Sequence, residues 1–155
     1  MAVNKDLVLG FVFYKDDKTF ALLEMPEGHP VGCKKNGFGG KIEEGETPRD
    51  AFKREAFEEV NLAMYAEDIN FIGSAEVSSD YFGTVTLHVG IYDVEQFRPS
   101  LHGGEFKCKP EWVAIEDFPW DDLPEGNREW LERPLWDYAY GSDPEKTFRA
   151  QGEEG

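Results

Sequence analysis

The chain is poor in the residues that build zinc and disulfide sites. Its 155 residues include two cysteines, Cys33 and Cys108, and three histidines. The cysteines lie far apart and the histidines are scattered, so no spacing typical of a zinc site occurs. We therefore expect no structural zinc.

Basic residues are also few. The chain has 16 lysines and arginines against 32 aspartates and glutamates, which gives a formal net charge of −16 at pH 7. A surface this acidic disfavours non-specific binding to duplex nucleic acid or to an anionic membrane. A phosphate-bearing substrate would have to be neutralised locally, by a cation and a few basic side chains. Solubility and adaptation to high salt both remain explanations of the charge.

Long apolar runs are missing as well. Neither a secretory segment nor an apolar run of membrane-spanning length occurs, which favours a cytoplasmic location. Apolar residues still make up 40% of the chain and aromatic residues 14%. This length and composition predict a single domain over residues 1–140 and a loose, polar tail over residues 141–155. The oligomeric state is left open.

Hydrophobic periodicity and turn residues predict the order of the elements. Strands are expected at residues 7–14, 19–25, 69–77, 83–94 and 111–115, and a loop at residues 26–35. In the fourth strand, Val85, Leu87, Val89 and Ile91 share one face. One helix is expected before the third strand, and a second at residues 128–140, where Pro134 should kink or restart it. Strands around a central helix, with a second helix closing the other face, predict an α/β layered fold.

The central helix carries strong local signals at both ends. Thr47 can accept a backbone N–H as N-cap, and Pro48 suits the first helical position. Asp50 favours the positive end of the helix dipole. The helix should run to about Val60, because Asn61 tolerates the left-handed conformation that often ends a helix.

Three carboxylates share one face of this helix. Glu55 lies three residues before Glu58 and four before Glu59, and Arg54 can pair with Glu58. Phe52, Ala56 and Val60 form a separate apolar stripe that can face a core. Clustered carboxylates suit hard cations such as Mg²⁺ or Mn²⁺. A solvated acidic face is the alternative interpretation of the helix alone.

The spacing from Gly40 to Leu62 resembles the Nudix box, G-x5-E-x7-REUxEExGU, where U is aliphatic. Gly40, Glu46, Arg54 and the three glutamates match, while Asn61 replaces the last glycine of the pattern. The resemblance implies a Nudix-type α/β/α sandwich with a mixed central sheet. It also implies hydrolysis of a pyrophosphate linkage with Mg²⁺, or Mn²⁺ as the alternative ion.

The resemblance further implies roles for individual residues. The metal would be bound by the carbonyl of Gly39 together with Glu55, Glu58, Glu59 and, before Trp112, Glu105. Arg54 would orient the glutamates, Glu46 would steady the preceding loop, and Lys41 would face a phosphate. The catalytic set is therefore expected to be Glu58, Glu55, Arg54, Glu46 and Glu105.

Two further segments resemble family members that hydrolyse oxidised guanine nucleotides. The run Asn36-Gly37-Phe38-Gly39-Gly40-Lys41 is similar to one in the 8-oxo-dGTP diphosphatase branch, and residues 121–127 are similar to one in the MutT branch. The implied substrate-binding residues are Asn36, Phe38, Lys41 and Asn127. Asn36-Gly37 is also a common turn dipeptide, and Asn127 also suits a helix N-cap.

The chain differs from these branches at positions that affect binding of the base. Pro26-Glu27 replaces a basic residue, Lys35 replaces a tryptophan, and Leu123 or Pro124 stands where a tryptophan stacks on the base. The main hypothesis is hydrolysis of a purine nucleoside triphosphate to the monophosphate and pyrophosphate. ADP-ribose, a dinucleoside polyphosphate or capped RNA are alternative substrates, and a nucleotide-binding module without catalysis is the alternative class.

Overall fold

A computed structural model describes residues 5–25, 34–79, 83–94, 109–124 and 126–141. Within these ranges, seven strands form one sheet, at Lys5–Tyr14 (β1), Thr19–Glu24 (β2), Lys35–Asn36 (β3), Phe38–Lys41 (β4), Ile69–Ser79 (β5), Gly83–Val94 (β6) and Lys109–Ala114 (β7). Two α-helices follow β4 and β7, at Pro48–Val60 (α1) and Asn127–Tyr140 (α2). Short 3₁₀ turns occur at Ala66–Asp68, Ile115–Asp117 and Trp120–Asp122. The predicted tail after residue 141 lies outside the described residues.

The sheet is mixed and is organised around β1. This strand pairs in parallel with β6 along its whole length. On its other edge it pairs antiparallel with β4 at Leu7–Gly10 and with β2 at Val12–Tyr14. The strands β1 and β2 therefore separate along their length, and the chain from Lys35 to Lys41 enters between them. This arrangement brings the glycine-rich segment before α1 into the centre of the sheet.

Helices cover both faces of the sheet, as predicted. Alternate residues of each strand point to opposite faces, so two separate apolar clusters form. Leu9, Phe11 and Phe13 of β1 pack with α2, while Val8 and Val12 pack with α1. Leu87, Val89 and Ile91 of β6 share the α2 face, which confirms their predicted alignment.

The sequence does not predict the strands β3 and β4. It predicts a loop at residues 26–35, but Lys35 pairs with Glu24 in β3, and Gly40 in β4 pairs with Val8. Glycine has low strand propensity, and the partner of β4 lies about thirty residues earlier in the chain, so no local pattern reveals this strand. The segment is extended because the gap between β1 and β2 supplies its hydrogen-bond partners.

The start of α2 also differs from prediction. The helix begins at Asn127, and Gly126 occupies the N-cap position with φ of 87°. Asn127 is therefore not the N-cap that its residue type suggested. Glycine adopts this left-handed conformation without steric cost, so the helix starts one residue earlier than expected. The helix also continues through Pro134 instead of restarting there.

Candidate active site

Helix α1 has the ends that the sequence predicts. The Thr47 hydroxyl accepts the Asp50 N–H at 3.1 Å, and the Asp50 carboxylate accepts the Thr47 N–H at 3.3 Å. This reciprocal capping box satisfies two of the donors that a helix start leaves free. At the other end, Asn61 adopts φ of 60° and ψ of 26°. The left-handed conformation expected of Asn61 is confirmed.

One face of α1 is firmly seated on the sheet. Phe52, Ala56 and Val60 are buried, which confirms the predicted apolar stripe. Gly10 and Gly90 form a pair between β1 and β6 and lie beneath the Phe52 ring. A Cβ on Gly10 would lie 2.3 Å from ring carbons of Phe52. The absence of side chains at these glycines therefore lets the helix approach the sheet closely.

Arg54 connects the loop before α1 to the carboxylates on the helix. Its guanidinium donates to both oxygens of Glu46 at 2.8 and 3.1 Å and to the carbonyl of Lys41 at 2.9 Å. It also donates to Glu55 at 2.9 Å and to Glu58 at 3.1 Å. Hydrogen bonding to Glu46 is the largest cause that raises the Arg54 pKa further above its ordinary value. Arg54 thus fixes the direction of three acidic side chains at once.

Glu46 holds the turn that leads into the helix. Besides its two contacts with Arg54, it accepts the Glu43 N–H at 2.9 Å. The hydrogen bond from Arg54 lowers the Glu46 pKa, and burial only partly opposes that effect. Glu46 therefore stays ionised and ties residues 43–46 to the arginine.

Glu59 is the most enclosed of the three helix carboxylates. Its side chain is 8% exposed, and one carboxylate oxygen accepts the Gly39 N–H at 3.2 Å. Burial, followed by the nearby charge of Glu55, raises the Glu59 pKa to about 8. Burial also raises the Glu55 pKa, although Arg54 opposes the shift. Negative charge is thus crowded into a partly desolvated site.

Gly40 makes room for one of these carboxylates. A Cβ at Gly40 would lie 2.4 Å from a carboxylate oxygen of Glu55. Strand β4 and helix α1 can therefore bring backbone and carboxylate together only with glycine at this position.

The carboxylates of α1 and the backbone near Gly39 suit a hard divalent cation, although the side chains are not arranged around one. In the described ranges, no three acidic, histidine or cysteine side chains converge closely enough to hold a metal ion. Arg54 engages Glu55 and Glu58, and Glu59 is directed to the Gly39 N–H. Mg²⁺ and Mn²⁺ prefer oxygen ligands such as these carboxylates. A bound cation would also favour the ionised forms of Glu55 and Glu59, whose pKa values are raised in its absence. Coordination would require the carboxylates to turn away from these partners.

The other predicted site residues lie in varied surroundings. The Phe38 side chain is completely buried against α1, so it has no exposed surface with which to contact a substrate. Lys41 is exposed, and its backbone carbonyl accepts a hydrogen bond from Arg54. Glu105 lies outside the described residues.

The two asparagines expected near a base lie in different elements. Asn36 is half-buried in β3, and its side-chain oxygen accepts the Gly37 N–H at 2.9 Å. Asn127 is 6% exposed at the first position of α2. The Lys34 N–H donates to the Asp122 carbonyl at 2.9 Å, so the segments before these asparagines are joined.

Sequence reasoning missed an ion pair beside Asn36. Lys35 donates to the carboxylate of Glu111 on β7. The two residues are 76 positions apart, and the only signal in the sequence was that lysine replaces a tryptophan of the resembling branch. The pair becomes recognisable once β3 and β7 are seen on either side of β2.

A separate cleft of about 370 Å³ opens at the start of α1. It is lined by Thr47, Pro48, Arg49, Phe71, Gly73, Ser74 and His88. The His88 side chain, on β6, is 30% exposed, and its Nε2 lies 3.5 Å from a carboxylate oxygen of Asp6. None of the helix carboxylates lines this cleft. No helix in the described part of the chain has the length and apolar character needed to cross a membrane.

Comparison with known proteins agrees with this geometry. The sequence model of the NUDIX domain matches residues 5–134. The chain is 30% identical over 127 residues to the oxidized purine nucleoside triphosphate hydrolase of Mus musculus, covering 76% of this chain and 74% of that protein.

Solved structures show the same fold. A MutT protein from Methanosarcina mazei aligns with a TM-score of 0.72 at 18% identity, over 90% of this chain and 96% of its own. A bifunctional NMN adenylyltransferase/ADP ribose pyrophosphatase from Francisella tularensis, complexed with AMP and Mn ion, aligns with a TM-score of 0.64 at 19% identity. That alignment covers 81% of this chain and 39% of the Francisella protein. With its carboxylate-bearing helix and mixed sheet, the chain belongs to the Nudix family and is a Nudix pyrophosphohydrolase.

Proposed function

We propose that this enzyme hydrolyses purine nucleoside triphosphates, oxidised ones included, to the nucleoside monophosphate and pyrophosphate, with Mg²⁺ as the cation and Mn²⁺ as an alternative. The observation that carries the proposal is the carboxylate cluster of α1, held by Arg54 and backed by Gly39 and Gly40. The similarity to the mouse hydrolase supports the choice of substrate class.

The residues that would hold the cation are Glu55, Glu58 and Glu59, with the Gly39 carbonyl and Glu105. A bound divalent cation supplies charge stabilisation at the phosphoryl oxygens and makes water easier to deprotonate. The chain itself supplies Glu58 as the base that removes the proton from the attacking water. Water oxygen then bonds to phosphorus as the α–β phosphoanhydride breaks, and the two fragments leave as monophosphate and pyrophosphate.

The remaining residues position these groups. Arg54 keeps Glu55 and Glu58 on the side of the helix that faces β4, because it contacts both of them and the Lys41 carbonyl. The exposed Lys41 ammonium is available to a phosphate. Asn36 and Asn127 are proposed to contact the base, since an amide offers both a donor and an acceptor to a purine edge.

A product assay tests this proposal. The panel contains 8-oxo-dGTP, dGTP, dATP, ADP-ribose and a diadenosine polyphosphate, each with and without Mg²⁺, with products separated by chromatography. The proposal predicts Mg²⁺-dependent release of pyrophosphate from the purine triphosphates, with 8-oxo-dGTP among the best substrates. Exclusive cleavage of ADP-ribose or the dinucleotide would contradict the substrate class. Calorimetric binding of nucleotides without any product would contradict the catalytic role as well.

A further inference from the structure

The cleft at the start of α1 has a lining that differs in charge from the rest of the chain. The chain has 32 acidic residues against 16 lysines and arginines, yet none of the residues that line the cleft is acidic. Arg49 and His88 contribute basic groups, Ser74 a hydroxyl, and Pro48 and Phe71 apolar surface. The volume of about 370 Å³ is sufficient for a small organic ligand.

The Arg49 guanidinium is held in place at the wall of the cleft. Its Nη2 donates to the Ile69 carbonyl at 3.2 Å, and its central carbon lies 5.6 Å from the centroid of the Phe71 ring. The bond to Ile69 uses one of the five N–H donors of the guanidinium, so others can serve a ligand. Arginine pairs with phosphate oxygens through two parallel N–H donors, which makes a phosphate group a well-matched ligand here.

The floor of the cleft is formed by β5 and β6. Ser74 lies directly opposite His88, and His88 pairs in turn with Val8, whose side chain packs on the α1 face of the sheet. Paired residues share a face, so the Ser74 hydroxyl and the His88 ring both lie on the side of the sheet that carries α1. A bulge in β5 follows Phe71, and a Cβ on Gly73 would meet no atom within 4 Å. The floor is therefore open to a ligand at the bulge.

Three carboxylates adjoin the cleft from outside its lining. Asp6 lies 3.5 Å from His88, Asp50 belongs to the capping box of α1, and Glu76 follows Ser74 on β5. These carboxylates would repel a polyphosphate more strongly than a single phosphate group, because Coulomb repulsion grows with the charge of the ligand. The surroundings therefore favour a ligand with one phosphate group and an uncharged organic part.

We propose that this cleft is a second ligand site, which binds a small phosphate monoester apart from the carboxylates of α1. The Arg49 guanidinium and the Ser74 hydroxyl donate to the phosphate oxygens, while Pro48 and Phe71 contact the organic part. Since no carboxylate of α1 lines the cleft, binding there needs no divalent cation. The site is independent of the proposed hydrolysis, which uses the other side of the helix.

Calorimetry in excess EDTA tests the proposal with three probes, namely inorganic phosphate, phenyl phosphate and uncharged phenol. We expect phenyl phosphate to bind with a dissociation constant of about 1 mM or below, inorganic phosphate to bind more weakly, and phenol to show no binding. Ser74→Glu places a carboxylate in the cleft, and Arg49→Gln removes the guanidinium. Each variant should weaken binding of phenyl phosphate by about tenfold or more.

Ser78→Glu is the matched control, because it makes the same substitution at an exposed position on the same face of β5 but outside the cleft. It should keep the wild-type dissociation constant. Ser74 is exposed, so Ser74→Glu should also keep the wild-type melting temperature, whereas Arg49→Gln loses its bond to Ile69. Three results would each overturn the proposal: no binding of phenyl phosphate by the wild type, equally tight binding of phenol, or equal weakening by Ser74→Glu and Ser78→Glu.

Discussion

At the scale of single residues, one arginine sets the geometry of the site. Arg54 contacts Glu46 on the loop, Glu55 and Glu58 on the helix, and the Lys41 carbonyl on β4. Its contact with Glu46 is bidentate, which adds geometric specificity to the charge attraction. The carboxylates are thus kept close together although their mutual repulsion opposes that placement.

The pair formed by Glu46 and Arg54 should make stability depend on pH. The Glu46 pKa is lowered in the folded protein, so its ionised form stabilises the fold above the ordinary pKa of 4.5, and that contribution is lost as pH falls through the lowered value. Glu46→Gln should therefore reduce the free energy of unfolding by about 1–2 kcal/mol at pH 7. Urea unfolding at pH 7 and near pH 3 measures this, and the difference between wild type and variant should shrink at the lower pH. An equal difference at both pH values would contradict the assignment.

Neighbouring glycines should respond differently to the same substitution. In Gly39→Ala the new Cβ would lie 2.0 Å from the Val8 carbonyl oxygen, which is backbone and cannot move aside. We expect this variant to lose about 2 kcal/mol or more of stability. In Gly40→Ala the clash is with the movable carboxylate of Glu55. This variant should keep most of its melting temperature and lose turnover, because Glu55 is displaced.

Thermal melts and turnover of the two variants, measured side by side, decide the point. A Gly40→Ala enzyme as active as wild type would show that the position of Glu55 does not matter. Equal melting temperatures of the two alanine variants would show that β4 is not tightly held against β1.

Among the secondary-structure elements, the limits of α1 are determined by residues at its own ends, whereas β4 is extended because it pairs with β1. Thr47, Pro48 and Asn61 mark both ends of the helix by well-understood backbone preferences, so its limits can be predicted from the sequence alone. Strand β4 depends on the gap between β1 and β2, which no local pattern encodes. The burial of Glu59 likewise follows from the way the helix meets β4, and the sequence shows only that the residue is acidic.

Asn61 gives a test at this scale, since it replaces the glycine of the Nudix box. Its left-handed conformation is confirmed, with φ of 60°. Asn61→Ala should cost about 1 kcal/mol, because alanine has a Cβ but no polar group to favour this conformation. Asn61→Gly should be as stable as wild type or more stable by a few tenths of a kcal/mol. Chemical denaturation of both variants checks the order, and an alanine variant as stable as the glycine variant would contradict it.

Across the whole chain, the sequence predicts the family and the sheet-and-helix layers better than it predicts contacts between distant strands. The Nudix spacing lies within one continuous segment, so it can be recognised before the fold is known. Lys35 and Glu111 come together only because β3 and β7 both flank β2, and Asn127 is placed by the left-handed Gly126. Because the chain has a net charge of −16, the phosphate groups of a substrate need a cation close by. The carboxylates of α1 are the proposed binding site for that cation.

The carboxylates of α1 are proposed to carry the chemistry, and turnover of charge-neutral variants tests this role most directly. The measurement is Mg²⁺-dependent release of pyrophosphate from the best purine triphosphate by wild type, Glu58→Gln and Glu59→Gln, with Glu129→Gln as an exposed control on α2. We predict a fall of about a hundredfold or more in both site variants, with melting temperatures close to wild type and an unaffected control. Near-wild-type turnover in both Glu58→Gln and Glu59→Gln at saturating Mg²⁺ would contradict the account.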